Sequence, residues 1–408
     1  MAATDIVIAG AGLVGRLLAL ALRQASGGGL SLRLLEAAPA GRAPQDIRVY
    51  AIAASTRRML EQLDVWPSLA PHAEAARALR IGDGRLADAV RPILLTLAGE
   101  VTPGEPFAHF VDGRELGRAV AAACDAAGIA VEHERRIGAL EVGPRGVSIR
   151  GPADRGQEDS ARLVVGADGA GSAVRRAAGI ATIGWPYRQG AIITIVWHEV
   201  PHDGVAIQHF LPGGPFALLP LPGRRSGIVW TERFEDAERL IALPHDLLAE
   251  ELRRRAGPEV GDLRIEEPPR LYPLGLGLAR TFVKPRIALV GDAAHRLHPL
   301  AGLGLNLGLR DVAALVEVLV EAARRGEDIG SIAVLERYQR WRRFDTVEVA
   351  VATEALNRLF SNDLGPLRLI RDLGLGLVDR IAPLKRHFVR EAAGTEGRLP
   401  RLMRGEPV

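Results

Sequence analysis

The sequence predicts an α/β (α+β) fold: a Rossmann-like nucleotide-binding domain with an inserted antiparallel sheet, ending in helices. Three observations predict it. The chain opens with an apolar strand, a glycine turn, a helix and a second strand closed by an acid. A second apolar run at 163–167 leads into a turn and a helix start, the repeating unit of α/β proteins. Between 187 and 230 the apolar period changes to two, as in strands with one covered face.

In order, residues 5–9 (DIVIA) suit a short buried strand. Gly10, Gly12 and Gly15, with Leu13 and Val14 among them, form G-x-G-x-x-G. Gly10 makes the tight turn, Gly12 admits a diphosphate, and Gly15 lets the helix 13–24 pack on the strand. The strand 30–35 ends in Glu36, 21 residues beyond Gly15, where a carboxylate holds ribose hydroxyls. An acid there argues against a 2′-phosphate, leaving NAD or FAD rather than NADP. A Pro/Gly loop over 40–48 ends at Arg48, which is either a surface arginine or one reaching over the ligand. A helix is expected from about 55 to 63 with Ser55 as N-cap. Residues 78–98 read as strands outside the nucleotide fold. Asp112-Gly113-Arg114 heads a helix running to Ala127, and an arginine at a helix start opposes the dipole, which points to a ligand-facing role for Arg114. Residues 130–149 read as a hairpin-rich insertion.

After the strand 163–167 comes D-G-x-x-S-x-V-R over 168–175, with Asp168 at a sharp turn and Ser172 capping a helix from Ala173. Strands follow over 191–197, 205–210, 216–221 and 227–230, separated by Gly213-Gly214 and Pro222-Gly223 and covered by a helix over 234–255. The nucleotide fold resumes near Arg280. A strand at 287–290 then enters the stretch 291–311, GDAAHRLHPLAGLGLNLGLRD. Here lie Gly291, the strand-end acid Asp292, two histidines, Pro299, and Gly302 and Gly304 around Leu303. The helix start near Leu305 and Asn306 offers free N–H groups to an electron-rich partner. These features read together as a cradle for a polar, planar cofactor. Helices over 305–325 and 331–359 and a broken one after Pro366 complete the chain.

At 408 residues the chain is long for one core, and 48% hydrophobic with 25% charged residues is ordinary for a globular protein. No apolar run reaches the length of a membrane span, and the chain starts directly on a strand, so neither a transmembrane helix nor a signal peptide is expected. The single Cys124 excludes an internal disulfide and a cysteine-based metal cluster. A cytoplasmic enzyme is expected. Net charge is +3, and Lys284 and Lys385 are the only lysines. From Pro366 onward nine basic residues face five acidic ones, interleaved with leucines and isoleucines. Such a segment suits contact with anionic lipid at the inner membrane face or with another protein, and equally a terminal helix with solvated arginines. No basic patch is interleaved with stacking aromatics, so no nucleic acid is expected as a partner.

Three motifs in fixed order now stand together: 10–15 with Glu36, 168–175, and 291–306 with its HP-x-x-G-x-G-x-N loop. In this the sequence resembles the single-component FAD-dependent aromatic hydroxylases over nearly its whole length. The strings 187–189, 217–221 with Trp230, and 357–361 (NRLFS) are similar to the ubiquinone-biosynthesis branch. The resemblance implies FAD as cofactor, with NADH, NADPH or another donor as reductant. It implies hydroxylation of a prenylated phenol by O2 through a flavin C4a-hydroperoxide. Gly10, Gly12 and Gly15 would bind the diphosphate, Glu36 the adenosine ribose, and Arg48 and Arg114 the diphosphate and flavin side. Asp168 would sit between cofactor and second domain, and Asp292 on the ribityl chain. Residues 299–306 would run beside the isoalloxazine, with N–H groups near Leu305 and Asn306 at its N1 and C2 carbonyl. The implied division is a discontinuous FAD-binding domain (1–77, 99–183 and 281–333), a β-sheet substrate domain (78–98 and 184–280) and a C-terminal helical segment (334–408). Two departures stand out: Leu303 where the family carries glutamine, and Asp112-Gly113-Arg114 where it carries Glu-Asn-Arg.

Rival readings fare less well. His295-x-x-His298 has no further ligand set for a metal. No G-x-S-x-G elbow supports a hydrolase. A flavin-dependent halogenase would need a W-x-W-x-I-P string, absent around Trp185-Pro186. An NAD-linked dehydrogenase leaves Asp168 and Asp292 without a job, and a non-catalytic prenyl-lipid carrier does not need the 292–306 loop. Among His209, Tyr187 and His298, no side chain stands out as the base that deprotonates a phenol.

Overall fold

The N-terminal strand Thr4–Ala9 lies inside an eight-stranded sheet, between Leu32–Leu35 and Glu158–Gly166, and pairs with both in parallel. The computed structural model describes residues 4–41, 46–86, 88, 91–151, 158–297, 302–360 and 378–408. Ile287–Leu289 adds parallel to the far side of Glu158–Gly166, so strands from both ends of the fold share one sheet. Residues 130–149 are not an insertion. Val131–Glu132 extends the sheet parallel to Leu32–Leu35, and the hairpin Ala139–Val142/Val147–Arg150 pairs antiparallel onto the first half of Glu158–Gly166. Turn residues marked the hairpin in the sequence, but its partner strand lay beyond any local pattern.

The helices Leu13–Ala25 and Leu303–Arg324 pack on each other, with leucines and valines such as Leu17, Leu18, Leu315 and Leu319 fully buried. Each such side chain contributes about 2 kcal/mol on removal from water.

A second, nine-stranded sheet is built around the 17-residue strand Thr182–His198. Ala78–Asp83 and Ile93–Ala98 belong to it, the former parallel to Val205–Leu211. One face buries Ile192, Val196, Phe216, Leu218, Ile228 and Trp230 under two helices, Phe234–Ile241 and His245–Ala256. The single helix expected over 234–255 breaks because Pro244 supplies no N–H and disfavours helical backbone before it. The opposite face carries Ala191, Ile193 and Ile195 against Ile47 and Tyr272 and against Val49 and Phe110 of a small three-stranded sheet, Val49–Ala53, Ala108–Asp112 and Ala73–Ala75. Gly227 lies so close to Val49 that a Cβ there would collide with it.

Ser55 is not an N-cap. The helix is Ala54–Gln62, its cap is Ala53, and the Ser55 N–H is bonded to the Ala393 carbonyl at 3.1 Å. The docked C-terminal segment replaces the side-chain cap. A long helix, Ile332–Phe360, and two shorter ones, Ala382–Ala392 and Arg401–Arg404, end the chain. The broken helix expected after Pro366 falls largely on residues outside those described. No helix among the described residues is long and apolar enough to cross a membrane.

Candidate active site

The glycine turn that follows Thr4–Ala9 has the geometry its residue types require. Gly10 adopts φ +100°, and a Cβ on it would approach the Ala167 carbonyl oxygen to 2.5 Å. A Cβ on Gly15 would run into the Gly10 carbonyl. Gly12 differs: a Cβ there meets nothing within 4 Å. Two of the three glycines are therefore demanded by the fold, and the third borders open space. Glu36 closes the turn from behind, its carboxylate accepting the N–H groups of Ala11 and Ala38, both at 2.9 Å.

The second motif anchors to the third. Asp168 Oδ2 accepts the N–H groups of Ala173 (2.6 Å) and Val174 (3.1 Å) at the start of a short helix, and Ser172 caps it through the N–H of Arg175 at 2.9 Å. Asp168 Oδ1 is buried with no hydrogen-bond partner, an unmet acceptor of the kind a ligand hydroxyl or amide satisfies. Arg175 donates to the Ala293 carbonyl at 2.8 Å, inside the turn Gly291–Ala293. On its other side that turn rests on Val14, which would lie 3.3 Å from a Cβ on Gly291. Val14 and Arg175 thus lock three motifs, far apart in sequence, around one place. Asp292 projects from it exposed to solvent.

The helix beyond begins at Leu303, two residues earlier than Leu305. Gly302 is its N-cap, with φ +65°. The unpaired backbone N–H groups of the first turn are therefore those of Leu303, Gly304 and Leu305, and the Asn306 N–H is already inside the helix. Asn306 acts instead through its side chain. Its Oδ1 accepts from the Ala53 N–H (3.0 Å), and its Nδ2 donates to the carbonyls of Ala51 (2.7 Å) and Gly302 (3.2 Å). The helix start is thereby sewn to the strand Val49–Ala53. Glycine's poor helix propensity hid this start in the sequence. Gly304, like Gly12, faces open space. Pro299 and His298 lie outside the described residues, as does the side chain of Leu303.

Arg48 and Arg114 do not stand free. Arg48 pairs with Asp46 at 2.7 Å and lies over the rings of Tyr50 (5.2 Å) and Tyr272 (5.9 Å). The Tyr50 hydroxyl donates to Asp46 at 2.6 Å. Burial pushes its ionisation well above the usual range, with the carboxylates of Asp46 and Asp292 adding to the effect against Arg48. Arg114 is held by Asp112 at 2.6 Å and Glu267 at 2.5 Å. Asp112 is also the N-cap of Gly113–Ala126, so the arginine that seemed misplaced at a helix start sits beside its own neutralising acid. Lys284 donates to the Ala178 carbonyl at 2.6 Å.

Of the three candidate bases, His209 is buried and held neutral near neutrality, because desolvation, with a smaller push from Arg91, lowers its pKa to about 4. Tyr187 donates to Glu354 at 2.7 Å. His295, from the metal-like spacing, is bonded to Asp311 at 2.5 Å, and no group of potential metal ligands occurs among the described residues. Sequence reasoning missed Asp311, Arg342 and the tie made by Arg175. One signal was present for Asp311. It falls midway between Leu307 and Leu315, both buried at four-residue spacing, so a carboxylate on that stripe needs a buried partner.

Compared with known proteins, the chain matches the family described as FAD binding domain over residues 3–351. It is 42% identical to the ubiquinone hydroxylase UbiL of Rhodospirillum rubrum, covering 99% of this chain and 93% of that one. It is 33% identical to the 3-demethoxyubiquinol 3-hydroxylase of Escherichia coli strain K12, covering 96% and 98% respectively. Among solved structures, the p-nitrophenol 4-monooxygenase PnpA of Pseudomonas putida DLL-E4 superposes with a TM-score of 0.79, covering 97% of this chain and 99% of that one at 19% identity, which shows a shared fold.

Proposed function

The chain belongs to the FAD-binding monooxygenase family that includes the ubiquinone hydroxylases, and from that premise we propose that it hydroxylates the aromatic ring of a prenylated phenol in ubiquinone biosynthesis. The observation that carries this reading is the locking of three sequence motifs around a cradle open at Gly12 and Gly304, beside the apolar sheet face that carries Ala191 and Ile193.

The unmet acceptor of Asp168 and the open space at Gly12 fit FAD. We assign the diphosphate to Gly10, Gly12, Leu13, Val14 and Gly15 with the N-terminus of Leu13–Ala25, and the adenosine ribose to Glu36. Arg48 and Arg114 border the flavin side, Arg114 anchored by its two carboxylates. Asp168 lies at the junction with the second sheet, and Gly291 and Asp292 hold the ribityl chain. Backbone at Gly302, Leu303, Gly304, Leu305 and Asn306 would line the ring. When bound, FAD accepts electrons from NADH or NADPH and activates O2 so that one oxygen atom passes to an electron-rich ring. The chain supplies orientation, N–H groups that favour negative charge on the ring's pyrimidine edge, and exclusion of water. The face with Ala191, Ile193, Val229 and Leu274 suits a prenylated ring. This assignment places a substrate domain over 78–98 and 184–280, a cofactor domain over 1–77, 99–183 and 281–333, and a helical segment over 334–408.

The purified protein should be yellow and consume oxygen in the presence of a reductant and a prenylated phenol, and a strain lacking it should accumulate one unhydroxylated precursor. A colourless protein that takes up no FAD on reconstitution would point instead to a lipid carrier. We further propose a cytoplasmic protein in peripheral contact with the inner membrane face. Exposed Phe388 beside Arg386 and Arg390 supports this reading. Co-sedimentation with anionic but not neutral vesicles tests it.

A further inference from the structure

A buried ion cluster lies directly behind the turn Gly291–Ala293, made of side chains to which the cofactor reading gave no role. Asp311 Oδ2 accepts the Gly291 N–H at 3.1 Å and meets His295 Nε2 at 2.5 Å, so one carboxylate ties both ends of the segment carrying Asp292. Its other oxygen accepts from Arg342 Nε at 2.8 Å. Asp311 and Arg342 are 0% exposed and His295 is 2% exposed. Burial alone would raise the Asp311 carboxyl, but His295 and Arg342 outweigh it and hold it below the ordinary range.

The helix face is shaped for this contact. Gly308 lies one turn before Asp311, and a Cβ on it would be 3.2 Å from the Gly291 Cα, so glycine admits the turn and aspartate holds it. Arg342 comes from Ile332–Phe360. Its Nη1 is fixed by Asp345 at 2.8 Å, and one helical turn earlier the Tyr338 hydroxyl donates to the Leu289 carbonyl at 2.7 Å. The helix Ile332–Phe360 thus grips the strand that enters the turn and the carboxylate that holds it. A charge pair replaced by apolar groups of the same volume often costs a fold nothing, so a pair aimed at a turn invites a positional reason.

We propose that Asp311 and Arg342 are positioning residues of the cofactor turn, and that the helix Ile332–Phe360 is thereby part of the FAD site. This rests on the assignment of the turn to FAD. Asp311 sets where the Gly291 backbone and Asp292 stand, and Arg342 keeps the buried carboxylate ionised and oriented.

The test compares wild type, Arg342→Lys and the charge-neutral double variant Asp311→Asn/Arg342→Met. The readouts are FAD dissociation constant, midpoint potential of the bound flavin, and thermal midpoint of the apoprotein. The double variant should bind FAD at least fivefold more weakly, with a displaced potential, while its apoprotein melts within a few degrees of wild type. Arg342→Lys, which keeps the charge but not both hydrogen bonds, should fall between the two. A folded double variant with less than a fivefold loss and an unchanged potential overturns the proposal and leaves the pair a structural one. Should the double variant not fold, Arg342→Lys decides: an affinity and potential equal to wild type overturn the proposal. Failure of the wild type itself to bind FAD is a different outcome, which removes the cofactor assignment.

Discussion

Gly12 and Gly15 stand three residues apart and answer to different demands. Gly15 is required by its own fold, because a side chain would strike the Gly10 carbonyl, whereas Gly12 has extended backbone, φ −71°, and open space before it. Gly12→Ala is therefore expected to leave the thermal midpoint of the apoprotein within about a degree while weakening FAD binding at least tenfold. Gly15→Ala should destabilise the apoprotein by about 2 kcal/mol or more. Calorimetry paired with flavin titration separates the two. Buried histidines give a second prediction. Burial, with nearby arginines adding to it, lowers His109 and His209 from 6.5 to about 4, so the unfolded chain binds protons that the folded one refuses. Their share of stability is complete above pH 6.5 and is lost as pH falls toward 4. His209→Gln should flatten the decline of denaturation free energy across that window, and an unchanged slope would refute the assignment. At this scale the glycines and Glu36 were legible because their spacing encodes backbone geometry. Arg342 was not: its partner lies 31 residues away and nothing local marks it.

Among the elements, the join between the helix Leu303–Arg324 and the strand Val49–Ala53 depends on one amide. Asn306→Ala leaves the Ala53 N–H and the Ala51 carbonyl without their partner, a cost of about 1–3 kcal/mol, and frees the helix start to move from its strand. The expected outcome is lower stability together with weaker flavin binding. Asn306→Asp, which keeps the acceptor alone, should recover part of both. The apolar periods announced most helices and the second sheet's strands over 78–98, 191–197, 205–210, 216–221 and 227–230, but not Arg270–Ala279. The helix over 234–255 was misread for a local reason, Pro244, but elsewhere a distant partner had decided the matter. The hairpin within 130–149 joined a strand that follows it, Ser55 lost its cap to Ala393, and the helix start at Leu303 was fixed by Asn306 against a glycine-rich propensity.

Over the whole molecule, the two large sheets are joined by few polar contacts among the described residues. Arg114–Glu267 links the start of Gly113–Ala126 to the segment after Leu263–Ile265, and Tyr187–Glu354 links the longest strand to the C-terminal helix. Removing both acids, as Glu267→Gln/Glu354→Gln, is expected to split a single calorimetric transition into two, because the contacts of Ala191, Ile193 and Ile195 that remain are apolar. A single sharp transition in that variant would show that apolar packing alone makes the molecule one cooperative unit. Fold class was legible at this scale because periodicity and motif order survive in any context, whereas these contacts depend on side chains brought together only by the finished topology.

The pairing of Thr4–Ala9 with Glu158–Gly166 and the Asp311–Arg342 contact have a consequence for synthesis on the ribosome. The first strand made pairs early with Leu32–Leu35 but must wait for more than a third of the chain before its second neighbour appears. The aspartate behind the turn remains without its arginine until the C-terminal helix emerges. The last residues matter as well: the Arg401 N–H is bonded to Glu317 at 2.7 Å, and Met403, at 1% exposure, closes the first core. Until those late residues are made, the nascent chain exposes apolar strand edges, the kind of surface that favours aggregation.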